Sequence, residues 1–233
     1  MNRKLTYIII CLLVLACKSK TDKSEDIKRT DSLKTDIVNE KEKKYILVNT
    51  KDYLIFGNKL AKIKIIKEKD IDKFPSFEIL NSYGEDIIIG KNIEWDSVEI
   101  FRKYNPKTRF QDFKVDVYQG KLADPDFSTD PEAKMFKTRI KTGCEKGVNF
   151  AGHYTLVTWG CGSPCQSGVV IDRKTGKIFS GYGTAFGSSF RKDSKMIIMN
   201  FYAIDTITNL IKVCPYCVVN HEIWTGIEFN KIE

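Results

Sequence analysis

The stretch from Asn149 to Phe179 limits the possible folds of this chain more than any other. His153 to Trp159 is a β-branched and aromatic run with His153, Thr155, Val157 and Trp159 on one face and Tyr154, Leu156 and Thr158 on the other. Both faces are largely apolar, which predicts a central strand covered on both sides. Gly160-Cys161-Gly162-Ser163-Pro164-Cys165 should then break the strand into a sharp turn that a disulfide can close. Val169 to Asp172 resumes a strand, and Arg173 to Gly176 reads as a type I turn closed by a left-handed glycine. Lys177 to Ser180 returns antiparallel.

The residues of this stretch also carry a resemblance. Phe150-Ala151-Gly152-His153-Tyr154, Trp159-Gly160-Cys161-Gly162 with Cys165, and Asp172 with Thr175-Gly176-Lys177 resemble the signature of a family of uncharacterised bacterial secreted proteins and lipoproteins. The likeness begins near Asp116 to Gly120, takes in Phe136 to Ile140, and fades after Asp193 to Asn200. It implies export and a shared fold, and it brings no activity with it. Cys214 and Cys217 lie outside the shared pattern.

The N-terminus points to export independently. Arg3 and Lys4 precede the apolar run from Leu5 to Ala16, which is followed by Cys17, the layout of a signal peptide over residues 1–16. The run is too short to span a bilayer, which takes about 20 residues. Val14-Leu15-Ala16-Cys17 resembles a bacterial lipobox, so Cys17 is the expected site of lipid (palmitate) attachment and the lipid bilayer an expected partner. Residues 17–44 are polar, charged and free of aromatics, which predicts a disordered tether. The expected location is a bacterial envelope, on the outer membrane or the periplasmic face, with the leaflet open.

The net charge of +8 is not a nucleic-acid signal. Residues 45–233 hold 27 basic against 23 acidic side chains, scattered rather than striped. No nucleic-acid partner is expected.

The rest of the chain predicts a mainly β fold of the α+β class: antiparallel meander and hairpin sheets with one amphipathic helix at about 131–146 packed on them. In an N-terminal β region, 45–112, short strands alternate with Asn, Gly, Asp and Pro, and Gly57-Asn58 reads as the centre of a hairpin turn. Phe113 to Tyr118 restarts the strand pattern in a second region, 113–233; whether the two share a sheet is open from sequence. Asp130-Pro131-Glu132 is a helix start, with Ala133, Phe136, Ile140 and Cys144 at helical spacing and Gly147 at the end. Met196 to Met199 reads as a buried strand, Thr206 to Val213 as its neighbour, and His221 to Phe229 as a last hairpin.

In an oxidising compartment Cys161 is expected to bridge Cys165, and Cys214 to bridge Cys217, leaving Cys144 reduced on the helix face. Longer-range pairings are compatible with the sequence, and a four-cysteine zinc site has tolerable spacing but competes with oxidation. Cys214-Pro215-Tyr216-Cys217 has the letters of a redox motif, yet strand-like flanks replace the helix that would lower a thiol pKa, so a stapled hairpin is expected. His153, Cys161 and Asp172 are the weak candidates for a catalytic set. The favoured reading is a membrane-anchored, non-enzymatic binding domain that meets an envelope protein or cell-wall component, with Tyr154, Trp159, Tyr182 and Phe186 as its possible surface. The alternative is a thiol-dependent redox or Cys-His enzyme. No cofactor or metal is expected.

Overall fold

The structure is a computed structural model that describes residues 43–233. The signal segment, Cys17 and nearly all of the tether lie outside the described residues. Fifteen strands, one α-helix and several 3-10 turns form one compact unit from Lys44 to Glu233.

The N-terminal region supplies β1 (Tyr45–Asn49), β2 (Tyr53–Gly57), β3 (Lys62–Lys67), β4 (Glu78–Tyr83), β5 (Asp86–Lys91) and β6 (Glu99–Lys103). The helix α1 (Lys137–Glu145) follows a 3-10 turn, Glu132–Phe136. Then come β7 (Tyr154–Gly162), β8 (Cys165–Asp172), β9 (Ile178–Thr184), β10 (Ser188–Phe190) and β11 (Met196–Met199). The chain closes with β12 (Ile204–Asp205), β13 (Leu210–Lys212), β14 (Asn220–Trp224) and β15 (Phe229–Lys231).

These strands make four antiparallel sheets, β7-β8-β9, β10-β11-β14-β15, β1-β2-β6-β13-β12 and β3-β5-β4. The period-2 alternation of side chains explains how the layers seal one another. Along β11, Ile197 and Met199 face the core shared with Tyr154, Leu156, Val170 and Trp224. Met196 and Ile198 face the opposite core, with Ile204, Ile211 and Val219. Along β7 and β8, Val157, Val169 and Ile171 turn the other way and meet Ala133, Ile140 and Cys144 of the helical segment. Tyr53, Ile55 and Ile88 join the five-stranded sheet to the outer three-stranded one. The order of layers is therefore helix, sheet, sheet, sheet, sheet; β7 is covered on both faces as its apolar residues predict, but it is the edge and not the centre of its sheet, since β8 pairs with both β7 and β9.

The helix obeys its sequence signals. Asp130 Oδ1 accepts the amide of Ala133 at 3.2 Å, and Gly147, at φ +81°, donates to the Cys144 carbonyl at 3.0 Å. A Cβ on Gly143 would stand 2.6 Å from Val157 Cγ2, so only glycine lets the helix lie this close to β7. The β8–β9 turn is also as expected, with Gly176 at φ +85° donating to the Asp172 carbonyl at 2.8 Å.

Several local expectations are corrected. Gly160 does not end β7: pairing continues to Gly162 opposite Cys165, and Ser163-Pro164, joined by a cis peptide, makes the turn. Glycine is tolerated there because Gly160 to Gly162 is solvent-exposed edge backbone with no core packing to lose. Gly57-Asn58 is no hairpin centre, since β2 pairs with β1 and β6 while β3 pairs with β5. Asn58 Oδ1 instead accepts the amides of Leu60 and Ala61 at 2.9 and 2.8 Å, an Asx turn that sends the chain from one sheet to the next. Residues 114–118 form no strand; Lys114 makes an isolated bridge to Ser194 after a 3-10 turn at Phe110–Phe113. The segment between β13 and β14 is stapled but is no hairpin, because β13 pairs with β12 and β6 and β14 with β11 and β15. The line between 112 and 113 is crossed by hydrogen-bonded pairing, since β13 runs beside β6 with Ile211 opposite Arg102.

Candidate functional site

The loop Asn149 to Tyr154 precedes β7 and is held from every side. The amides of Asn149 and Phe150 both donate to the Tyr154 carbonyl, at 3.1 and 3.0 Å, and Tyr154 returns a bond to Phe150 at 2.9 Å. Gly152 donates to the Lys192 carbonyl at 2.7 Å and accepts from the Tyr118 amide at 2.9 Å. Ala151 is left-handed, at φ +44°, a conformation that costs a non-glycine residue about 1 kcal/mol or more and persists only where neighbours over-determine it. At Gly152 the backbone approach is so close that a Cβ would lie 2.8 Å from the Asp116 carbonyl oxygen.

This loop presents His153 to a cavity of about 140 Å³ that also meets Asp116, Tyr154, Lys195, Trp224 and Gly226. The His153 ring leans on Tyr154, centroids 4.2 Å apart. Its Nε2 stands 3.8 Å from Asp172 Oδ1, too far for a hydrogen bond. Asp172 Oδ1 instead accepts the Lys174 amide at 2.7 Å, so its first task is the β8–β9 turn. Burial, aided by Lys174 and opposed by Asp172, lowers the His153 pKa and keeps the ring neutral at pH 7. The Trp224 indole is 2% exposed, and its buried N–H is directed at the Tyr154 hydroxyl, whose pKa burial raises.

The third weak catalytic candidate is elsewhere. Cys161 lies eight residues along β7 from His153, which at ~3.3 Å per residue is roughly 26 Å. It is exposed and bonded to Cys165, with Cα atoms 5.2 Å apart. Cys214 is bonded to Cys217 in the same manner, Cα atoms 5.1 Å apart. Cys144 is the free cysteine among the described residues; it is buried, and burial pushes its thiol pKa up against the opposing pull of Arg173. No group of three or more potential metal ligands occurs among the described residues.

The four aromatics read as a surface are not one. Tyr154 and Tyr182 are 9% and 3% exposed and belong to the core between two sheets. Trp159 is on the other face, stacked on Phe136 at 4.3 Å with the ring planes 23° apart, where it covers the helix. Phe186 is half-buried in the loop before β10, its amide held by Asn200 Oδ1 at 2.9 Å. A strand covered twice divides its aromatics between two interiors, and that is why they do not converge.

Two polar assemblies have no counterpart in the sequence reading. Arg173 is 4% exposed and donates to the carbonyls of Cys144 at 2.6 Å and Ala123 at 3.0 Å, capping the C-terminal end of α1. His221 is 3% exposed and bridges Tyr104 to Thr108. Thr108 Oγ1 donates to Glu233 Oε2 at 2.9 Å, so it accepts from His221 Nδ1–H at 2.7 Å. Nε2 is then the acceptor of the Tyr104 hydroxyl at 2.6 Å, and the protons run in one direction towards the carboxylate. Burial lowers the His221 pKa despite Glu233, and burial with Glu233 pushes Tyr104 up to about 12. Burial would raise the Glu233 carboxyl, but the Lys107 and Thr108 amides and the Thr108 hydroxyl outweigh it and hold it below the usual range. The only sequence sign of this network is the alternation that puts His221 of β14 on the same side as the preceding Val219; Tyr104 and Thr108 sit in a charged loop with no periodicity.

No known family model, curated protein or solved structure matches this chain.

Proposed function

We propose that this chain is an exported, lipid-anchored, disulfide-braced domain of a bacterial cell envelope that binds a ligand without turning it over. The seat of binding is the His153 cavity. The observation that carries this reading is the over-determined Ala151 to Tyr154 loop facing a cavity that brings His153 together with Asp116 and Lys195. Strain held by many neighbours is characteristic of pre-organised sites, where a ligand meets groups already fixed in place. The two bridges span turns of four and three residues in sequence separation and favour an oxidising compartment, in keeping with the signal segment and Cys17.

The absence of turnover is supported by the separation of the chemical groups. Cys161 is far along β7 from His153, and Cys161, Cys165, Cys214 and Cys217 are all bonded. Alkylation of the native protein, unfolded without reductant, tests the reading. Cys144 alone among the domain's cysteines is expected to label. Rapid labelling of Cys161 or Cys214 at neutral pH, before unfolding, overturns it in favour of thiol chemistry. The cavity is tested separately by Asp116→Lys and Lys195→Glu, both exposed lining positions, which should abolish retention of an envelope component that the unaltered chain retains.

A further inference from the structure

Arg102 is a strongly placed cation that the binding proposal does not use, and unlike Arg173 it caps no carbonyl. It lies on β6, inside the five-stranded sheet, opposite Tyr53 on one side and Ile211 on the other. Its guanidinium carbon is 3.3 Å from the centroid of the Tyr83 ring, contributed by the neighbouring three-stranded sheet. Stacking strips water from one face of the guanidinium and leaves the N–H edge directed outward. No hydrogen bond or ion pair to Arg102 is found among the described residues, although charges nearby are matched: Glu99 pairs with Lys44 at 3.2 Å and Lys212 at 3.3 Å, and Asp86 with Lys67 at 2.8 Å.

Two cavities meet at this side chain. One, of about 240 Å³, is lined by Lys103, Lys107 and the His221 network; the other, of about 130 Å³, by Val213, Pro215 and the Cys214–Cys217 bridge. Both include Tyr83, Arg102 and Ile211, so they adjoin at this side chain, and we treat them as the two halves of one groove. The first half has a cationic bias at its wall. Of its two carboxylates, Glu233 is already committed to Thr108 and to the Lys107 and Thr108 amides, and Asp52 is exposed at the rim. The Lys107 ammonium has no partner among the described residues. The second half is mainly apolar along Ile211, Val213, Pro215 and Val218, with Asn81 and Ser82 on its wall, and has room for about four water-sized groups. The groove shares no lining residue with the His153 cavity.

We propose that this groove is a second site, specific for a carboxylate that carries a short hydrocarbon arm. The carboxylate takes the free edge of Arg102, where a fork of two N–H groups matches two oxygens, and Lys107 adds a second positive charge. The arm lies against Val213, Pro215 and the disulfide. The Tyr104–His221–Thr108 network fixes one wall in advance, because it ties the loop after β6 to β14 and Glu233.

The test is ligand-observed NMR titration of the full-length chain in a non-ionic detergent, with hexanoate, acetate and inorganic phosphate as probes at low ionic strength. Hexanoate should bind at least ~10-fold more tightly than acetate, because its extra methylenes leave water. Phosphate should bind no more tightly than acetate. Arg102→Ala should weaken hexanoate by ~10-fold or more, and Arg102→Lys should weaken it by less, since the charge stays and the fork is lost. Lys67→Ala, whose partners are Asp86 and Glu85, should leave binding unchanged. If Arg102→Ala does not fold, Arg102→Lys together with Lys107→Ala carries the same test. The proposal is overturned if hexanoate shows no saturable binding, if the Arg102 and Lys107 variants bind it equally well, or if phosphate is the tightest of the three.

Discussion

The hydroxyl of Thr108 is a single atom on which the His221 network depends, and its removal gives a sharp test of the proton arrangement derived above. In Thr108→Val the side chain keeps its shape. His221 Nδ1–H then faces a methyl group in a site that is 3% exposed, and Glu233 loses one of its donors. An unpartnered buried donor costs about 1–3 kcal/mol, and a hydrogen bond to a charged acceptor contributes about 1.5–3. The Lys107 and Thr108 amides continue to serve Glu233, which offsets part of the second figure, so the expected loss is about 3 kcal/mol. For a domain of this size that lowers the midpoint of thermal unfolding by about 6–12 °C. Differential scanning calorimetry at pH 7.5 measures it. Thr206→Val, an exposed threonine, serves as the control and should shift by no more than about 0.5 kcal/mol. If the two variants unfold within about 2 °C of each other, the hydroxyl is not the link between His221 and Glu233, and the directed chain of protons is wrong.

Acid should destabilise the fold well above the carboxylate range. Burial holds His153 and His221 below the ordinary histidine value, so the unfolded chain takes up protons that the native chain refuses as pH falls below about 6.5. Stability is then full above that value and is lost towards the native pKa; His221→Gln should flatten the midpoint-against-pH curve between pH 7 and 5, whereas an unchanged slope refutes the assignment. Gly143→Ala should cost about 1–3 kcal/mol through the contact with Val157, and the second change Val157→Ala should recover part of it in chemical denaturation. Replacing both cysteines of either bridge by serine should cost about 2 kcal/mol, since the closed loops are short. Equal denaturation midpoints before and after reduction would show that the bridges do not brace the fold.

The legible parts of this fold are those in which a short segment carries its whole explanation. Asp130, Pro131 and Gly147 mark a helix by the chemistry of its ends, and the Asp172 to Lys177 turn is written in one glycine and one aspartate. The two apolar faces of β7 announce two covering layers, and two turns carry cysteines close enough to bridge. The choice of pairing partner is not local, and there the reading departs from the structure. Gly57-Asn58 has the composition of a hairpin turn, yet β2 finds better cover beside β6. Leu210 to Lys212 and the strand after Cys217 flank a stapled turn but are claimed by different sheets. The site suffered in the same way. His153 and Asp172 came close because two consecutive strands, β7 and β8, pair Tyr154 with Asp172, whereas Tyr104, Thr108, His221 and Glu233 converge only after distant segments have packed.

The pairing of β13 with β6 has a consequence for the order in which the polypeptide can mature. Synthesis, or threading through a membrane pore, delivers the amino end first, and β1, β2 and β6 can zip together early. The outer rim of β6 then waits, with its amides and carbonyls bare, until residues 210–212 emerge. A bare rim of this kind is where strange strands add on, so a chaperone that shields it would act in that interval and become dispensable once the last sixth of the chain has arrived.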